Sequence, residues 1–346
     1  IPVSKIPYET PVGQIYDSGE FEAVFDRALV LADWDGFPNR RETSEANGKI
    51  RGIGVCCFLE IAGGILNEPA NFNVQDGKAV LRLGVQEMGQ GHLTTYTNLI
   101  AKHLGINTAD VALIEGDSAD VPGFIPAVAS RSLMLAGSAA VLACDEAVEK
   151  GRVIAGKLLE AATDDIEYGK GSFRITGTDR AIPLLELPSR AVAAGLTNSS
   201  LDTTHEFVSP QMSFPNGCHV CEVEIDPETG SLSVVGYYAV DDVGNVFQET
   251  IVEGQIHGGI AQGLGQILGE QVIYDDSGQL LTGSFMDYPM PRADEIPSLA
   301  VEHHSVPCTN NPLGVKGAGE SGVAGALPSA YSAVPDALAM RGVNDF

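Results

Sequence analysis

Two stretches of this chain follow the same plan: a strand-like pattern leads into a segment rich in glycine and glutamine, and a helical pattern follows. These glycine- and glutamine-rich segments lie at residues 84–91 and 253–259. An apolar period of two predicts strands, and a period near 3.6 predicts helices. The 346 residues also exceed what one ordinary hydrophobic core accommodates. We therefore predict an α+β fold with two mixed α/β lobes.

The predicted organisation has three segments. Residues 1–49 form an extended lead segment and an amphipathic helix, residues 50–205 the first lobe, and residues 206–346 the second lobe. Apolar patterns predict strands at 50–61, 70–75, 78–85, 110–115, 220–225 and 232–240, and helices at 21–32, 94–104, 132–162 and 251–268. The segment at 163–205 has a mixed pattern that indicates no single structure.

Capping residues and prolines indicate where some helices begin and end. Asp17 and Glu20 have the spacing of a capping box before the first helix. Residues 36–49 are expected to form a polar connection. A last helix is expected to begin near Pro328, and Pro335 is expected to kink or end it.

The chain is strongly acidic, with 46 acidic and 20 basic residues and a formal charge of −26. Such a surface repels phosphate backbones and anionic membrane faces, so we expect no nucleic-acid partner. The sequence has no apolar run near the roughly 20 residues that span a bilayer, and we expect no membrane span. The start at Ile1 rather than Met is interpreted as a cut in a longer protein.

The six cysteines have no regular spacing, and no disulfide framework is expected. Cys218 and Cys221 have the spacing of a metal or redox pair. They lie in a strand pattern, however, where residues three apart point to opposite faces. We therefore expect no metal site at this pair.

The first segment that could carry chemistry is 88–92, between a strand and a helix. Gly89 and Gly91 allow backbone amides to approach a ligand, and a helix N-terminus suits phosphate or another anion. Gln90 can donate and accept hydrogen bonds, as a polar heterocycle requires. The alternative is a tight turn that only connects the two elements.

The second segment, with Ala129, Ser130 and Ser132, opens the long helix. Its hydroxyl groups and the unpaired amides of a helix start predict an anion site. Simple N-capping by serine is the alternative.

The third segment is the helix at 251–268, which contains several glycines. Each costs about 1 kcal/mol relative to alanine, so their number indicates close approach by another backbone or a flat ligand. Ile260 and Leu264 belong to the predicted buried stripe. Gln262 lies between them in sequence and is expected to face a different partner.

The fourth segment is the glycine-rich loop at 314–322, which carries Glu320. Gly319 and its neighbouring glycines let the loop bend and present the carboxylate to a ligand. A partly buried glutamate has a raised pKa and can take a proton near neutral pH, which makes Glu320 a candidate base. The alternative is a flexible loop with a solvated glutamate.

In their order and spacing, these segments resemble the family of xanthine dehydrogenase, aldehyde oxidase and carbon monoxide dehydrogenase large subunits. Residues 88–92 resemble its Gly-Gln-Gly pterin loop, residues 252–265 a second cofactor segment, and residues 311–320 the signature with the active-site glutamate. Residues 7–19 resemble its mid-subunit linker. The likeness covers nearly the whole chain and is greatest for the bacterial branch that includes carbon monoxide dehydrogenase-like large subunits.

The resemblance implies roles for single residues. Glu320 would deprotonate hydroxide at molybdenum, and the oxygen would attack an electron-poor carbon of an aldehyde, an N-heterocycle or carbon monoxide. The residues implied to adjoin the cofactor are Gly89, Gln90, Gly91, Ala129, Ser130, Ser132, Gln262 and Gly319. The pterin dithiolene would hold the metal, so no protein metal ligand is expected.

The resemblance also implies groups outside this chain. The molybdenum–pterin cofactor is expected as the cytosine dinucleotide, with iron–sulfur clusters and FAD on partner subunits. The implied partners are the amino-terminal half of the large subunit, an iron–sulfur subunit and an FAD subunit, in the cytoplasm. Without that half, the chain is expected to expose a cofactor-facing surface.

Other classes of function remain open. One is a non-catalytic scaffold that keeps the fold, or an isolated apo fragment. A generic nucleotide binder is disfavoured, because the sequence has no P-loop and no Gly-x-Gly-x-x-Gly followed by a suitably placed acidic residue. The enzyme hypothesis predicts that Glu320, Gln90, Ser130 and Gln262 converge on one concave surface.

Overall fold

The computed structural model of the protein describes residues 1–197 and 199–343. The α-helices, in chain order, are α1 Phe21–Leu31, α2 Phe37–Ala46, α3 His92–Leu104, α4 Ser138–Leu159, α5 Leu187–Ala193, α6 Glu249–Leu268 and α7 Ser321–Ala339. The strands are β1 Tyr8–Glu9, β2 Ile15–Tyr16, β3 Ile50–Leu59, β4 Asn67–Gln75, β5 Lys78–Leu83, β6 Val111–Glu115, β7 Ile166–Gly169, β8 Ser172–Ile175, β9 Ala181–Pro183, β10 Thr203–Val208, β11 Asn216–Ile225, β12 Leu232–Asp242 and β13 Leu299–His303. Helices and sheets are therefore mixed along the chain, as the predicted α+β class requires.

Residue contacts divide the chain into two compact units. Unit 1 consists of Ile1–Ala62, Ser213–Thr309 and the chain from Gly314 onward. Its main sheet has the order β13-β12-β11-β3, antiparallel except for the parallel pair of β12 with β13. Helices α6 and α7 share one hydrophobic core with this sheet, and α1 shares a second core with it.

The two cores of unit 1 explain the alternation in β11. Cys221 and Val223 lie in the core with α6 and α7, whereas Cys218 lies in the core with α1. Successive strand residues point to opposite faces, so these cysteines diverge. The strand interpretation of this pair is thus confirmed.

Unit 2 consists of Gly63–Met212 and Asn310–Leu313. Its main sheet has the order β10-β4-β5-β6, in which only β5 and β6 are parallel. Helix α3 connects these two parallel strands. Helix α4 packs on β4 and β10, and its Gly151 lies so close to Phe173 of β8 that a Cβ there would meet the ring at 2.2 Å.

These units are grouped by contacts, whereas the predicted segments 50–205 and 206–346 are continuous in sequence. Strand β3 belongs to unit 1 because it pairs along its whole length with β11, from Ile50 opposite Ile225 to Leu59 opposite Asn216. As domain boundaries, the predicted segments stay predictions.

Several local predictions are confirmed. The strands predicted at 70–75 and 78–85 correspond to β4 and β5, which are joined by Asp76 and Gly77, both at positive φ, as a two-residue hairpin turn requires. Helix α3 ends at Leu104 with Gly105 in the left-handed conformation. In α6, the predicted stripe is buried at Ile256, Ile260 and Leu264.

Three local predictions are wrong. Residues 37–46 of the supposed polar connection form α2, whose Arg40 reaches Glu222 of β11 through two hydrogen bonds. Helix α7 begins at Ser321, before the expected start near Pro328, and continues past Pro335 to Ala339. Its small residues are buried against β3, β11 and α6, and this packing outweighs the local cost of the two prolines.

No helix among residues 1–197 and 199–343 combines the length and the apolar character that a membrane crossing needs.

Candidate functional site

The loop at 84–91 in unit 2 is organised by the carboxylate of Glu87. One oxygen accepts hydrogen bonds from the amides of Gly89 at 2.8 Å and Gly91 at 3.1 Å, and the other accepts from Leu93 at 3.2 Å. Burial acts to raise the pKa of Glu87, but these hydrogen bonds outweigh it and lower the pKa. Three amides of the loop and the first turn of α3 are therefore already occupied by an internal anion.

The glycines of this loop have a conformational role. Gly89 and Gly91 have φ of +106° and +79°, which most side chains avoid. A Cβ at Gly89 would meet nothing within 4 Å, so the chain leaves open space beside it. Close approach by a ligand is thus possible at Gly89.

Gln90 is half-buried and folds back on its own loop. Its side-chain nitrogen donates to the carbonyl of Gln86 at 3.0 Å and lies 3.2 Å from Nε2 of His92. His92 in turn contacts Glu115 of β6 at 2.9 Å through Nδ1. These contacts fix the Gln90 loop to the end of the sheet.

Gln86 connects this loop to the segment with Ala129 and Ser130. Its side-chain oxygen accepts a hydrogen bond from the amide of Ala127 at 3.3 Å. Two of the predicted cofactor segments are therefore neighbours within unit 2.

Ala129 and Ser130 both have φ of +52°, a left-handed conformation that is costly for non-glycine residues. The carbonyl of Ala129 accepts a hydrogen bond from the amide of Gly63 at 2.9 Å. The next residue, Arg131, is fully buried and pairs with the buried Glu68 at 2.7 Å. Arg131 thereby stabilises this strained turn.

Arg131 also ties the turn to the chain that enters β4. Its Nε donates to the carbonyl of Ile65 at 3.1 Å and its Nη2 to that of Asn67 at 2.7 Å. Burial raises the pKa of Glu68, although Arg131 opposes that change.

The long helix opens differently from the prediction. Residues Leu133–Gly137 form a turn of π-helix before α4, a feature that is frequent at functional sites. Ser132 precedes this turn, and its side chain makes no capping hydrogen bond. The simple capping alternative is therefore wrong for Ser132.

In unit 1, the glycines of α6 fall into two groups. A Cβ at Gly259 would lie 2.8 Å from the amide nitrogen of Val323, and one at Gly263 would lie 2.6 Å from the Cβ of Ala326. These two serve close packing on α7. By contrast, a Cβ at Gly254 or Gly258 would meet nothing within 4 Å.

Gln262 is exposed and lies outside the buried stripe, and it follows Gly254 and Gly258 at intervals of four residues. Residues four apart share one face of a helix. We call Gly254, Gly258 and Gln262 the open stripe of α6. It offers backbone surface and one amide side chain to a ligand.

The loop that leads to Glu320 is anchored by a buried ion pair. The ammonium of Lys316 lies 2.6 Å from Oδ2 of Asp242, and both side chains are fully buried. The other oxygen of Asp242 accepts hydrogen bonds from the amides of Gly244 and Val306 at 3.0 Å each. The segment before Glu320 is therefore fixed to the end of β12.

Glu320 itself is exposed, and so is Gly319. Of the two alternatives for this side chain, the exposure agrees with the solvated glutamate and not with the partly buried one. The reason is local: Glu320 precedes α7, and the buried positions of that turn are taken by Ser321 and by Gly322, the second of which packs on α6.

A second polar group lies directly beside Glu320. Ser321 is fully buried, and its hydroxyl has no hydrogen-bond partner within the described part of the chain. Buried hydroxyl groups without partners are rare and call for an explanation, such as a ligand. Ser321 therefore fits a polar group at the start of α7.

The predicted residues thus form two sets. Gln90, Ala129 and Ser130 lie on neighbouring loops of unit 2, while Gln262 and Glu320 lie on or beside the packed helices of unit 1. Each set has features that a polar ligand can use: open space beside Gly89 in unit 2, and the open stripe and the buried hydroxyl of Ser321 in unit 1. Convergence of all of them on one surface stays a prediction.

Sequence reasoning missed Glu87, Arg131, Lys316 and Ser321. A signal existed for Glu87, Arg131 and Lys316, because each is a charged residue inside a segment of glycine and small residues, where solvent exposure was assumed.

Across residues 1–197 and 199–343, no group of three or more His, Cys, Asp or Glu side chains is arranged to hold a metal ion.

Known proteins provide a direct comparison. The family model of the molybdopterin cofactor-binding domain matches residues 27–297. The carbon monoxide dehydrogenase large chain of Hydrogenophaga pseudoflava is 33% identical, and the alignment covers 98% of this chain and 44% of that protein. The nicotine 6-hydroxylase large subunit of Paenarthrobacter nicotinovorans is 31% identical, with coverage of 98% and 44%.

A solved structure agrees with these relatives. Quinoline 2-oxidoreductase from Pseudomonas putida 86 superposes with a TM-score of 0.90 at 32% identity, over 99% of this chain and 46% of that one. The chain thus spans a little under half the length of each of these three proteins. Family model, sequence identity and fold agree, and this chain therefore belongs to the molybdopterin cofactor-binding domain family of the molybdenum hydroxylases.

Proposed function

We propose that the chain is the cofactor-holding part of a molybdenum-dependent oxidoreductase, with Glu320 as the base. The observation that carries the proposal is the start of α7, where an exposed carboxylate and a buried hydroxyl without a partner occupy adjacent positions, 320 and 321. The expected substrate is an aldehyde, an N-heterocycle or carbon monoxide. These classes agree with relatives named as carbon monoxide dehydrogenase and nicotine hydroxylase.

When bound, the molybdenum–pterin group supplies two-electron oxidation and a water-derived oxygen. The chain supplies position and a proton acceptor. Gln90 and Gln262 are proposed to hydrogen-bond the pterin, and Gly89, Gly91 and Gly319 to let it approach the backbone. Ala129, Ser130 and Ser132 are proposed to lie beside it, in the strained turn and the π-helical start of the long helix.

Glu320 is suited to proton transfer for a structural reason. Lys316, four residues earlier, is held by the buried Asp242, so the loop before the carboxylate is fixed while the carboxylate remains accessible. A fixed base within reach of its substrate is what general base catalysis requires. The neighbouring hydroxyl of Ser321 can donate a hydrogen bond to the same ligand.

The proposal extends to the rest of the assembly. The cofactor is expected in its cytosine dinucleotide form, with iron–sulfur clusters and FAD on partner subunits and the remaining large-subunit sequence beside this chain. One relative is named as a subunit of a dehydrogenase complex. None of the six cysteines forms a disulfide, which supports a reducing, cytoplasmic location.

The test is the Glu320→Gln variant, produced with the partner subunits. It keeps the shape of the side chain but removes the base, so we expect kcat to fall by about 10²- to 10⁴-fold. Turnover is measured with each substrate class, and the molybdenum and pterin contents are measured in parallel and are expected to match the unaltered protein.

Glu228→Gln is the matched control, because Glu228 is an exposed glutamate in the turn between β11 and β12. It should leave turnover unchanged. Unaltered turnover in Glu320→Gln would remove the assignment of the base. Absence of molybdenum and pterin from the unaltered assembly would favour the non-catalytic scaffold.

A further inference from the structure

Two free cysteines lie opposite each other at the edge of the unit 1 sheet. Cys57 of the edge strand β3 is the direct partner of Cys218 in β11. Directly opposed residues of an antiparallel pair lie on the same face, with Cβ atoms about 4.5 to 5.5 Å apart. A disulfide needs about 3.5 to 4.5 Å between them, so a small closing movement suffices.

The two thiols have different surroundings. Cys57 is exposed, whereas Cys218 is fully buried in the core beneath α1, with Val24 and Ala28. A hydrogen bond from the Cys218 thiol lowers the pKa of Cys57 to about 7. The same interaction and burial raise the pKa of Cys218. At neutral pH, therefore, Cys57 is partly an accessible thiolate and Cys218 a protonated thiol.

We propose that Cys57 and Cys218 form a peroxide-sensitive thiol pair, in which Cys57 reacts first and Cys218 resolves the product. The register places the two cysteines directly opposite each other, and the exposure of Cys57 admits the oxidant. This inference is independent of the proposed function.

The reaction has two steps. The Cys57 thiolate attacks one oxygen of a hydroperoxide, the O–O bond breaks, and an alcohol or water leaves with a proton from solvent, which yields a sulfenic acid. The Cys218 sulfur then attacks the Cys57 sulfur, the S–O bond breaks, and the departing hydroxide leaves as water with the proton of Cys218. Two thiols are oxidised to one disulfide, and one peroxide is reduced.

The other cysteines provide an internal contrast. Cys56, the neighbour of Cys57, lies opposite His219 rather than a thiol, and burial raises its pKa. Burial also raises the pKa of Cys221 and Cys144, and both are buried. The pair Cys57–Cys218 thus differs from these other cysteines in two ways: its members lie directly opposite each other, and the pKa of Cys57 is lowered.

The experiment uses the protein in its natural assembly, reduced and then exposed to hydrogen peroxide. Remaining thiols are alkylated, and the digest is analysed by mass spectrometry. We expect a linked peptide that joins Cys57 to Cys218, the loss of two free thiols, and reversal by a reductant. A Cys57 that stays reduced, or that is oxidised without linkage to Cys218, would overturn the proposal.

Three variants sharpen the test. Cys56→Ser, the matched control, should form the linkage at the normal rate. Cys218→Ala should form none and should accumulate a Cys57 sulfenic acid that a cyclic diketone traps. In Cys57→Ser, a substitution at an exposed position, Cys218 should stay reduced. Oxidation of Cys218 in the Cys57→Ser variant would contradict the proposal. So would a disulfide between Cys57 and a cysteine other than Cys218 that forms undiminished in the Cys218→Ala variant.

A second measurement addresses the hydrogen bond directly. The rate at which a small alkylating reagent modifies Cys57 is recorded against pH. Its midpoint should lie at about 7 in the unaltered protein and should move toward about 8.5, the ordinary value for a thiol, in Cys218→Ala. An unchanged midpoint would show that Cys218 does not influence Cys57.

Discussion

At the scale of single residues, two buried ion pairs hold the loops that carry the candidate site. Lys316 pairs with Asp242 in unit 1, and Arg131 pairs with Glu68 in unit 2, all four with fully buried side chains. Loops of glycine and small residues have few side chains with which to pack. A buried ion pair with additional hydrogen bonds gives such a loop one fixed position.

Breaking the pair in unit 1 should be costly. Lys316→Met leaves the Asp242 carboxylate buried without its cation, and we expect the free energy of unfolding to fall by about 3 to 5 kcal/mol. Lys78→Met is the control, because the Lys78–Asp110 pair is partly exposed and should contribute about 0 to 1 kcal/mol. Denaturant titration of both variants gives the values, and equal losses would refute the special role of Lys316.

The sequence allowed only part of this to be predicted. Gln262 was expected to leave the buried stripe, and it does. Lys316 and Arg131 were not identified, because a charge in a glycine-rich segment normally indicates exposure, and their partners lie 74 and 63 residues away in the chain. Distant pairing carries no simple local sequence pattern. For Glu320, the glycine-rich loop allowed both a partly buried and a solvated side chain, and the sequence alone could not decide between them.

At the scale of elements, α6 and α7 show why helix prediction from sequence succeeded once and failed once. Helix α6 has a regular apolar stripe, and its predicted bounds, 251–268, nearly match Glu249–Leu268. The first turns of α7 contain Ser321, Gly322 and Gly325, which have no helical signature of their own. They are helical because Gly322 packs against the backbone of α6. Tertiary contact overrides propensity here.

Two neighbouring glycines of α6 should therefore respond in opposite ways to alanine. Gly258→Ala enters open space and should stabilise the helix by about 1 kcal/mol. Gly259→Ala places a Cβ 2.9 Å from the Cα of Gly322 and should destabilise the protein by about 1 to 3 kcal/mol. Thermal and denaturant unfolding of the pair measures the difference, and an equal response would contradict glycine-mediated packing.

At the scale of the whole molecule, opposing surface properties coexist. The formal charge of −26 favours mutual repulsion between copies. Yet residues 269–298, between α6 and β13, expose several large apolar side chains, with Phe285 86% and Met286 93% exposed. The division into discontinuous units could not be predicted from the sequence. Strand β3 pairs with β11, and these two strands of unit 1 are separated in the chain by the segment Gly63–Met212 of unit 2.

The dependence of self-association on salt concentration should show how charge repulsion and the exposed apolar side chains oppose each other. Added salt screens the repulsion, so self-association of the 346-residue chain should increase with ionic strength. Replacing Phe285 and Met286 by serine should reduce it. Val30→Ser removes an isolated exposed apolar residue and should have no effect. Light scattering at low and high salt measures the association, and an equal effect of all replacements would exclude residues 269–298 as its origin.

The self-occupied start of α3 has a consequence for selectivity. Glu87 belongs to the same loop as the amides that it binds, so its carboxylate is present there at a high effective concentration. An incoming phosphate must displace this carboxylate and is also repelled by the net negative charge of the protein. A small free anion interacts with these amides through its charge alone and does not displace Glu87. A larger ligand that makes further contacts nearby can displace it, so the loop selects ligands by their size rather than by their charge.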